Sequence, residues 1–184
     1  ALDASGNILV AGTAYSTATR DDFLLLKFDP SGRLLWEATL GGAAESTDVL
    51  GDAEPDGAGG VYAAGITVGE GFVQGLSLAR FDAAGTLLWH ETMPVELEPW
   101  ADAPPRLALD AAGNIFVCGH DAGDYLLLKF DPSGGLLWTR RYDSSGDGSG
   151  DKFDFATDVA ADADGNVFVT GLSPSDGFRT LGYG

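Results

Sequence analysis

Short apolar runs recur along the chain, and each is bounded by an Asp-x-x-Gly tetrapeptide. In one phrase the tetrapeptide leads into an apolar run that ends in Gly, with copies beginning at Asp3, Asp56, Asp110 and Asp162. A second phrase reads Phe-Asp-x-x-Gly-x-Leu-Leu-Trp, with copies beginning at Phe28, Phe81 and Phe130. Because both phrases return about every fifty residues, the chain is predicted to be an array of one repeated supersecondary unit.

Each Asp-x-x-Gly is predicted to form a hairpin turn. Asp at the first turn position accepts hydrogen bonds from the backbone ahead of it, and Gly adopts the left-handed conformation that other residues avoid. The chain holds seven of these turns, two in each complete repeat. Two hairpin turns per repeat predict four antiparallel strands per repeat.

The third strand of the repeat is almost continuously apolar, as in FLLLKF at Phe23–Phe28 and YLLLKF at Tyr125–Phe130. A strand with one solvated face alternates between apolar and polar residues, whereas a strand covered on both faces does not. Four-stranded units whose faces are covered by neighbouring units are the blades of a β-propeller. The predicted fold class is therefore all-β, a propeller segment of four-stranded antiparallel blades.

The repeat boundaries predict a single domain over residues 1–184, with blades over about residues 1–40, 47–93, 106–142 and 156–184. The last blade is expected to contain three strands, the third being FRTLGYG, with Phe178 and Tyr183 at the positions of Phe23 and Phe28. Both ends of the array fall inside a repeat. We therefore expect either a part of a larger propeller or a chain that self-associates to close one, because an open array leaves an exposed edge.

Residues that recur at one repeat position are predicted to be structural. The turn aspartates and the tryptophans Trp36, Trp89 and Trp138 recur in this way, so the tryptophans are expected to pack between blades. Cys118 takes the place of Ala11, Ala64 and Thr170 and is expected to be a small buried side chain. His90 and His120 lie at different repeat positions and show no metal-ligand spacing.

The formal net charge of −18 makes nucleic acid an unsuitable partner, because the phosphate backbone would be repelled. No run of eighteen apolar residues occurs, so no membrane span is predicted. The acidity has two interpretations: solubility together with turn aspartates, or calcium binding and a high-salt, extracellular habitat.

The strongest candidate for a metal site is the acidic segment DSSGDGSGD at residues 143–151. Side chains at alternate positions of such a loop can converge on a hard cation such as Ca²⁺. The predicted ligands are Asp143, Ser145, Asp147, Asp151 and Asp154. The loop resembles the calcium loops of integrin-type propeller repeats, but it uses Ser145 where Asp or Asn is usual and lies between blades. The alternative is a Gly/Ser/Asp connector without a metal.

Trp100 lies outside the repeat, in the Pro-rich and acidic connector PVELEPWADAPP. A Trp in an irregular loop can contact a ligand, and it can also cover the edge of a blade. Trp100 is therefore a candidate ligand-contact residue.

The segment Asp21–Gly42 together with DASGNILVAGT resembles the bacterial β-propeller repeat family known as SBBP repeats, in three full copies and one partial copy. The resemblance implies a multi-bladed propeller of secreted or surface-attached bacterial proteins, and it carries no family-wide active site. Quinone-cofactor propellers are the runner-up. They have one more residue between the Asp and Gly of their tryptophan-docking motif than the three copies here.

We therefore expect a non-catalytic scaffold, extracellular or at the cell surface, that binds a protein or carbohydrate ligand and is stabilised by calcium. The alternative is a propeller enzyme, quinone-dependent or hydrolytic, whose active site lies on further blades. By repeat phase, the connectors of variable length all lie on one rim, at residues 13–20, 65–75, 119–123, 41–46, 94–105 and 143–154. Ligand contacts are predicted on that rim because variable surface loops are where binding residues concentrate.

Overall fold

The computed structural model describes residues 1–17, 20–42, 46–69, 73–96, 104–143, 154–172 and 179–183. These residues form β-strands without any helix, and the prediction of an all-β antiparallel chain is confirmed. Within the same ranges, nothing resembling an apolar membrane-spanning helix is found. The chain divides into two compact units, Ala1–Pro94 and Val95–Gly184.

The first unit contains two four-stranded sheets. Sheet 1 has the antiparallel order β1-β2-β3, and the short β4 adds to β2 in parallel. Its strands are β1 (Ile8–Ser16), β2 (Arg20–Phe28), β3 (Leu34–Leu40) and β4 (Ser46–Thr47). Sheet 2 has the antiparallel order β5-β6-β7-β8. Its strands are β5 (Val49–Pro55), β6 (Val61–Val68), β7 (Gln74–Phe81) and β8 (Leu87–Pro94).

The second unit repeats this arrangement. Sheet 3 contains β9 (Arg106–Leu109), β10 (Ile115–Asp121), β11 (Asp124–Phe130) and β12 (Leu136–Tyr142) in sequential antiparallel order. Sheet 4 contains β13 (Phe155–Ala161), β14 (Val167–Leu172) and β15 (Arg179–Tyr183). The predicted third strand of the last repeat is confirmed, because Tyr183 pairs with Val167 as Phe28 pairs with Ile8. Phe178 lies outside the described residues.

All seven Asp-x-x-Gly turns have the predicted conformation. In each turn, one oxygen of the Asp carboxylate accepts backbone N–H groups two and four residues ahead, at 2.8–3.0 Å. The fourth residue of each is a Gly with φ between +77° and +97°. At Asp29 the Ser31 hydroxyl adds a further hydrogen bond, and these interactions lower the pKa of Asp29 to about 2. The turn aspartates are therefore structural, as their recurrence predicts.

A buried lysine connects the turns of sheets 1 and 2. Lys27, from the FLLLKF strand, lies 2.8 Å from the Asp3 carboxylate and donates to the carbonyl of Gly59 at 2.8 Å. The ion pair is almost completely buried and holds the pKa of Asp3 well below its usual range. Trp36 makes a second connection, since its indole Nε1 donates to the carbonyl of Ala83 at 3.0 Å. The predicted packing between repeats is thus confirmed for this tryptophan.

Each unit has a core formed where its two sheets meet. In the first unit, Phe23 and Leu25 of sheet 1 pack with Val61, Ala63 and Phe81 of sheet 2, and all five side chains are fully buried. In the second unit, an equivalent cluster joins sheets 3 and 4. It includes Cys118, which is fully buried as predicted. Among the described strands no sheet closes on itself, and the arrangement of the sheets as a propeller stays a prediction.

Candidate functional site

The two ends of each sheet differ in how their strands are connected. The Asp-x-x-Gly turns all close the same end, which we call the turn end. The opposite end, which we call the connector end, carries the other connections, and their lengths vary. Between β10 and β11 only Ala122 and Gly123 intervene, whereas residues 69–73 separate β6 from β7. Uniform turns at one end and variable connectors at the other make the connector end the candidate site.

A buried carboxylate organises the connector end of the first unit. Asp48 is fully buried, and its two carboxylate oxygens accept the backbone N–H of Gly42 at 2.5 Å and of Val68 at 2.8 Å. Its own N–H donates to the carbonyl of Asp21 at 2.7 Å. Asp48 thus connects the segment after β3, the end of β6 and the start of β2 through hydrogen bonds.

Asp154 is the counterpart of Asp48 in the second unit. It is also fully buried, and its N–H donates to the carbonyl of Gly123 at 2.6 Å, as that of Asp48 does to Asp21. The sequence contains a signal for this position that the repeat analysis missed. Asp48 and Asp154 each lie eight residues before a turn aspartate, Asp56 and Asp162 respectively.

Three carboxylates meet at the connector end of the second unit. Oxygen atoms of Asp124, Asp143 and Asp154 all lie within 4.8 Å of one another. Asp143 and Asp154 are two of the five predicted calcium ligands, and Asp124, at the start of β11, was not predicted. Burial raises the pKa of Asp124, and the negative charges of Asp143 and Asp154 raise it further. The other predicted ligands, Ser145, Asp147 and Asp151, lie outside the described residues, as does Trp100.

The first unit has a different residue at the position of Asp143. There the counterpart is Gly41, beside Asp22, which is the counterpart of Asp124. A Cβ atom on Gly41 would overlap the Asp22 carboxylate, so a larger residue would require rearrangement. Among the described residues, such a grouping of three carboxylates occurs in the second unit alone.

A cavity of about 490 Å³ opens at the connector end of sheet 2. Gly42 and Gly69 contribute to its wall together with the side chains of Thr67, His90 and Thr92. The polar side chains belong to a hydrogen-bonded series that begins inside the sheet. Thr67 Oγ1 lies 2.5 Å from Ser77 Oγ, Ser77 Oγ lies 3.1 Å from Thr92 Oγ1, and Thr92 Oγ1 lies 3.1 Å from His90 Nε2.

The sequence carried a visible signal for this series. Ser77 stands in a β-strand where two of the other repeats have the leucines Leu24 and Leu126. A lone serine in a buried apolar strand needs a hydrogen-bond partner, because an unpaired buried hydroxyl is costly. The partners, Thr67 and Thr92, are not adjacent to Ser77 in sequence, so the series itself could be recognised only in the folded sheet.

His120 is the other histidine and lies inside the second unit. Its ring is 3% exposed, and it meets the Phe155 ring edge-to-face with centroids 5.3 Å apart. Neither ring nitrogen has a hydrogen-bond partner among the described residues. Burial lowers the pKa of His120, and the nearby Asp121 charge opposes that shift only in part. His120 is therefore a neutral core residue at neutral pH.

We expect the second unit to lose stability as the pH falls below the ordinary histidine pKa of about 6.5. In that range His120 is protonated in the unfolded chain but stays neutral in the folded one. The free energy of unfolding therefore decreases as the pH falls. One such proton gives a slope of at most about 1.4 kcal/mol per pH unit. His120→Ile, which installs the residue that sheet 2 has as Ile66, should reduce the slope. Urea unfolding at a series of pH values measures it, and an unchanged slope in the variant would contradict the assignment.

Comparison with known proteins bears on the fold alone. No family model matches the sequence, and no curated protein matches it. A crystal structure of a protein of unknown function from Bacteroides caccae, determined at 1.35 Å, is similar, with a TM-score of 0.55 and 13% sequence identity. The similarity covers 95% of this chain and 57% of that one, so the chain spans little more than half the length of this relative.

Proposed function

We propose that the chain is part of an SBBP-type β-propeller and serves as a non-catalytic scaffold, outside the cytoplasm, that binds a protein or carbohydrate ligand at its connector end. The observation that carries the proposal is the contrast between the two ends of the sheets. Seven turns of one design close the turn end, and varied connectors with a cavity form the other. Rigid sheets that present variable loops are a common basis for recognition.

Exchange of connectors and turns tests the proposal. Residues 69–73 would be replaced by the two-residue Ala-Gly connection of sheet 3 in one variant. In the matched control, the turn at residues 82–86 would be replaced by that at residues 131–135, which has the same length and conformation. Peptide and glycan panels would be screened by NMR against each variant. We expect ligand-induced shifts at connector-end amides, such as those of Gly42, Gly69 and Glu96, and loss of binding only in the connector variant.

Ligand-induced shifts confined to the turn end, for example at Gly32, Gly57 and Gly85, would refute the proposal. Equal binding by the connector variant and by wild type would also refute it. Self-association of the chain is a separate expectation of the sequence. Ile8, Val10 and Tyr15 of β1 are exposed and offer apolar surface that a second copy could cover. A mass measured over a wide concentration range tests that expectation.

The proposed scaffold includes a stabilising calcium ion near Asp124, Asp143 and Asp154. Calcium prefers six to eight oxygen ligands, and three carboxylates can supply up to six of them. A cation that binds only the folded state raises the free energy of unfolding by mass action, by about 2.7 kcal/mol at a concentration one hundred times the dissociation constant, and the thermal midpoint rises with it. We therefore expect millimolar calcium to raise the thermal midpoint relative to chelator.

The control for calcium uses the difference between the units. Asp124→Asn should abolish the response to calcium, whereas Asp22→Asn, at the corresponding position of sheet 1, should retain it. Magnesium serves as the comparison ion, because it demands a smaller and more regular oxygen shell. An equal midpoint in calcium and in chelator would leave the acidic segment a connector without a metal.

A further inference from the structure

The cavity at the connector end of sheet 2 has the size and composition of a small-molecule site. Its volume of about 490 Å³ falls within the range of ligand pockets, about 300–1,000 Å³. The side chains of Val73 and Pro94 provide apolar surface, and Gln74 adds an amide that can both donate and accept hydrogen bonds. Such sites combine apolar walls with a few convergent polar groups.

The polar groups are anchored in the sheet. Thr67 and Ser77 are 3% and 0% exposed, so the inner part of the hydroxyl series is fixed in the interior. Thr92 is exposed and His90 is half-buried, so the outer part reaches the cavity mouth. Because Ser77 connects Thr67 to Thr92, the two threonine hydroxyls that line the cavity are held in fixed positions. Rigid placement of polar groups lowers the entropic cost of binding.

The series is a departure from the repeat. In sheet 1 the residues at the positions of Thr67, Ser77 and His90 are Ala14, Leu24 and Glu37. Sheet 3 has Asp121 and Arg141 at the positions of Thr67 and Thr92, and these two side chains form an ion pair. Packing of the repeat therefore requires no hydroxyl series. The presence of the series in sheet 2 and its absence from the described strands of sheets 1 and 3, together with the adjoining cavity, indicate a role other than folding.

The described part of the cavity wall carries no formal charge. The described residues that line it include no Asp, Glu, Lys or Arg. Among these described residues the one titratable side chain is His90, whose pKa is lowered by burial and only partly restored by the charges of Glu91 and Asp48. The Asp48 carboxylate is committed to the N–H groups of Gly42 and Val68. Neither a cation nor an anion would find a charged partner among these residues.

The hydroxyl series can present either polarity to a ligand. With Nε2 of neutral His90 as acceptor, each hydroxyl donates toward the histidine, and Thr67 has lone pairs left to accept from a ligand. With Nε2 protonated, each hydroxyl donates the other way, and the terminal Thr67 hydroxyl is free to donate. Because a hydrogen-bond chain reorients as a unit, a ligand that both donates and accepts can be satisfied in either arrangement.

We propose that this cavity binds a neutral polyhydroxylated ligand, a sugar residue of a glycan or a free saccharide. Hydroxyl groups of the ligand exchange hydrogen bonds with Thr67, Thr92 and Gln74, and its C–H face lies against Val73 and Pro94. The inference rests on the proposed binding function of the connector end and specifies the class of ligand.

A titration by NMR tests the inference in the full chain. The probes are glucose, galactose, mannose and N-acetylglucosamine, with glucuronate and glucosamine as charged comparators. We expect at least one neutral sugar to shift the amide signals of Gly42, Gly69 and Gln74. Thr92→Val should weaken that binding about tenfold, the effect of one lost hydrogen bond. Thr39→Val is the matched control, because Thr39 is the exposed counterpart of Thr92 in sheet 1.

The remaining outcomes separate this inference from the proposed function. Absence of shifts at the cavity with every neutral sugar would overturn the ligand class, and stronger binding of glucuronate or glucosamine would do the same. Binding of a peptide elsewhere on the connector end would then still support the scaffold. Gln74→Ala, on the strand that pairs with the strand of Thr67, is a second variant in which sugar affinity is measured. Equal sugar affinities in wild type, Thr92→Val and Gln74→Ala would show that the sugar does not bind in this cavity.

Discussion

Gly65→Ala is expected to destabilise the first unit by about 3 kcal/mol, the upper range for forcing extra atoms into a packed core. Gly65 lies on β6 where the Phe23 ring of sheet 1 presses against sheet 2. A Cβ atom there would meet the tip of that ring and the carbonyl of Val49, both well inside van der Waals contact. The ring could move, but the carbonyl belongs to β5, the neighbouring strand of the same sheet, so β5 and β6 would have to shift relative to each other.

The repeat itself provides the control for this substitution. Gly12 is the counterpart of Gly65 in sheet 1, and a Cβ atom on it would meet nothing within 4 Å. Gly12→Ala should therefore leave the free energy of unfolding within about 0.5 kcal/mol of wild type, as is usual at the surface. Gly171, the counterpart in sheet 4, is crowded by the Tyr125 hydroxyl and should behave like Gly65.

Thermal and urea unfolding measure the difference. A loss of about 3 kcal/mol corresponds to roughly 6–12 °C in the midpoint for a chain of this size. In the double variant Phe23→Leu, Gly65→Ala, we expect only partial recovery, since the carbonyl of Val49 remains in place. Equal effects of alanine at Gly65 and Gly12 would show that the two sheets do not pack in this way.

Asp48→Ala is expected to cost the first unit about 2–4 kcal/mol. The substitution leaves the N–H groups of Gly42 and Val68 without the carboxylate that accepts them. A hydrogen bond to a charged acceptor contributes about 1.5–3 kcal/mol net, and because Gly42 is exposed and Val68 is half-buried, water can replace part of each lost bond. Asp48→Asn retains one acceptor oxygen and should cost less than the alanine variant.

Glu37→Ala is the control for this second substitution, because it removes an exposed carboxylate from β3. Its effect should stay within about 0.5 kcal/mol. Hydrogen exchange provides a local readout, in which the Gly42 and Val68 amides should exchange faster in Asp48→Asn than in wild type. Unchanged protection of both amides would show that Asp48 does not fasten the connector end.

Gly65 and Asp48 differ in how clearly the sequence pattern indicates their importance. The Gly that ends each apolar run is visible in the sequence as a repeated residue, but the aromatic ring that crowds Gly65 belongs to Phe23 of sheet 1, forty-two residues away. Asp48 shares its repeat position with Asp154, but the sequence pattern singled out only Asp154, and as a metal ligand rather than as a buried hydrogen-bond acceptor or donor. In each case the repeat marks the position, and the contact that explains it comes from another strand.

At the candidate site, too, the sequence marks some of the residues, and the fold supplies their partners. The acidic segment at residues 143–151 predicts a calcium site. Two of the predicted ligands, Asp143 within the segment and Asp154 just after it, do lie together. Asp124 joins them from another strand, nineteen residues before Asp143 in the chain. The hydroxyl series likewise draws on β6, β7 and β8. Neither grouping has a spacing that a linear pattern could reveal.

The sequence by itself determined the seven turns, the strands between them and the four-fold repetition. These features depend on hydrogen bonds between residues at most four apart and on the apolar character of successive residues. Both are properties of short stretches of sequence. Only the tertiary structure decided which side chains share a cavity, which carboxylates approach one another and which glycine must accommodate a ring. Those relations arise when separate strands are brought into register and separate sheets are packed, and a single backbone shift of one residue would change all of them.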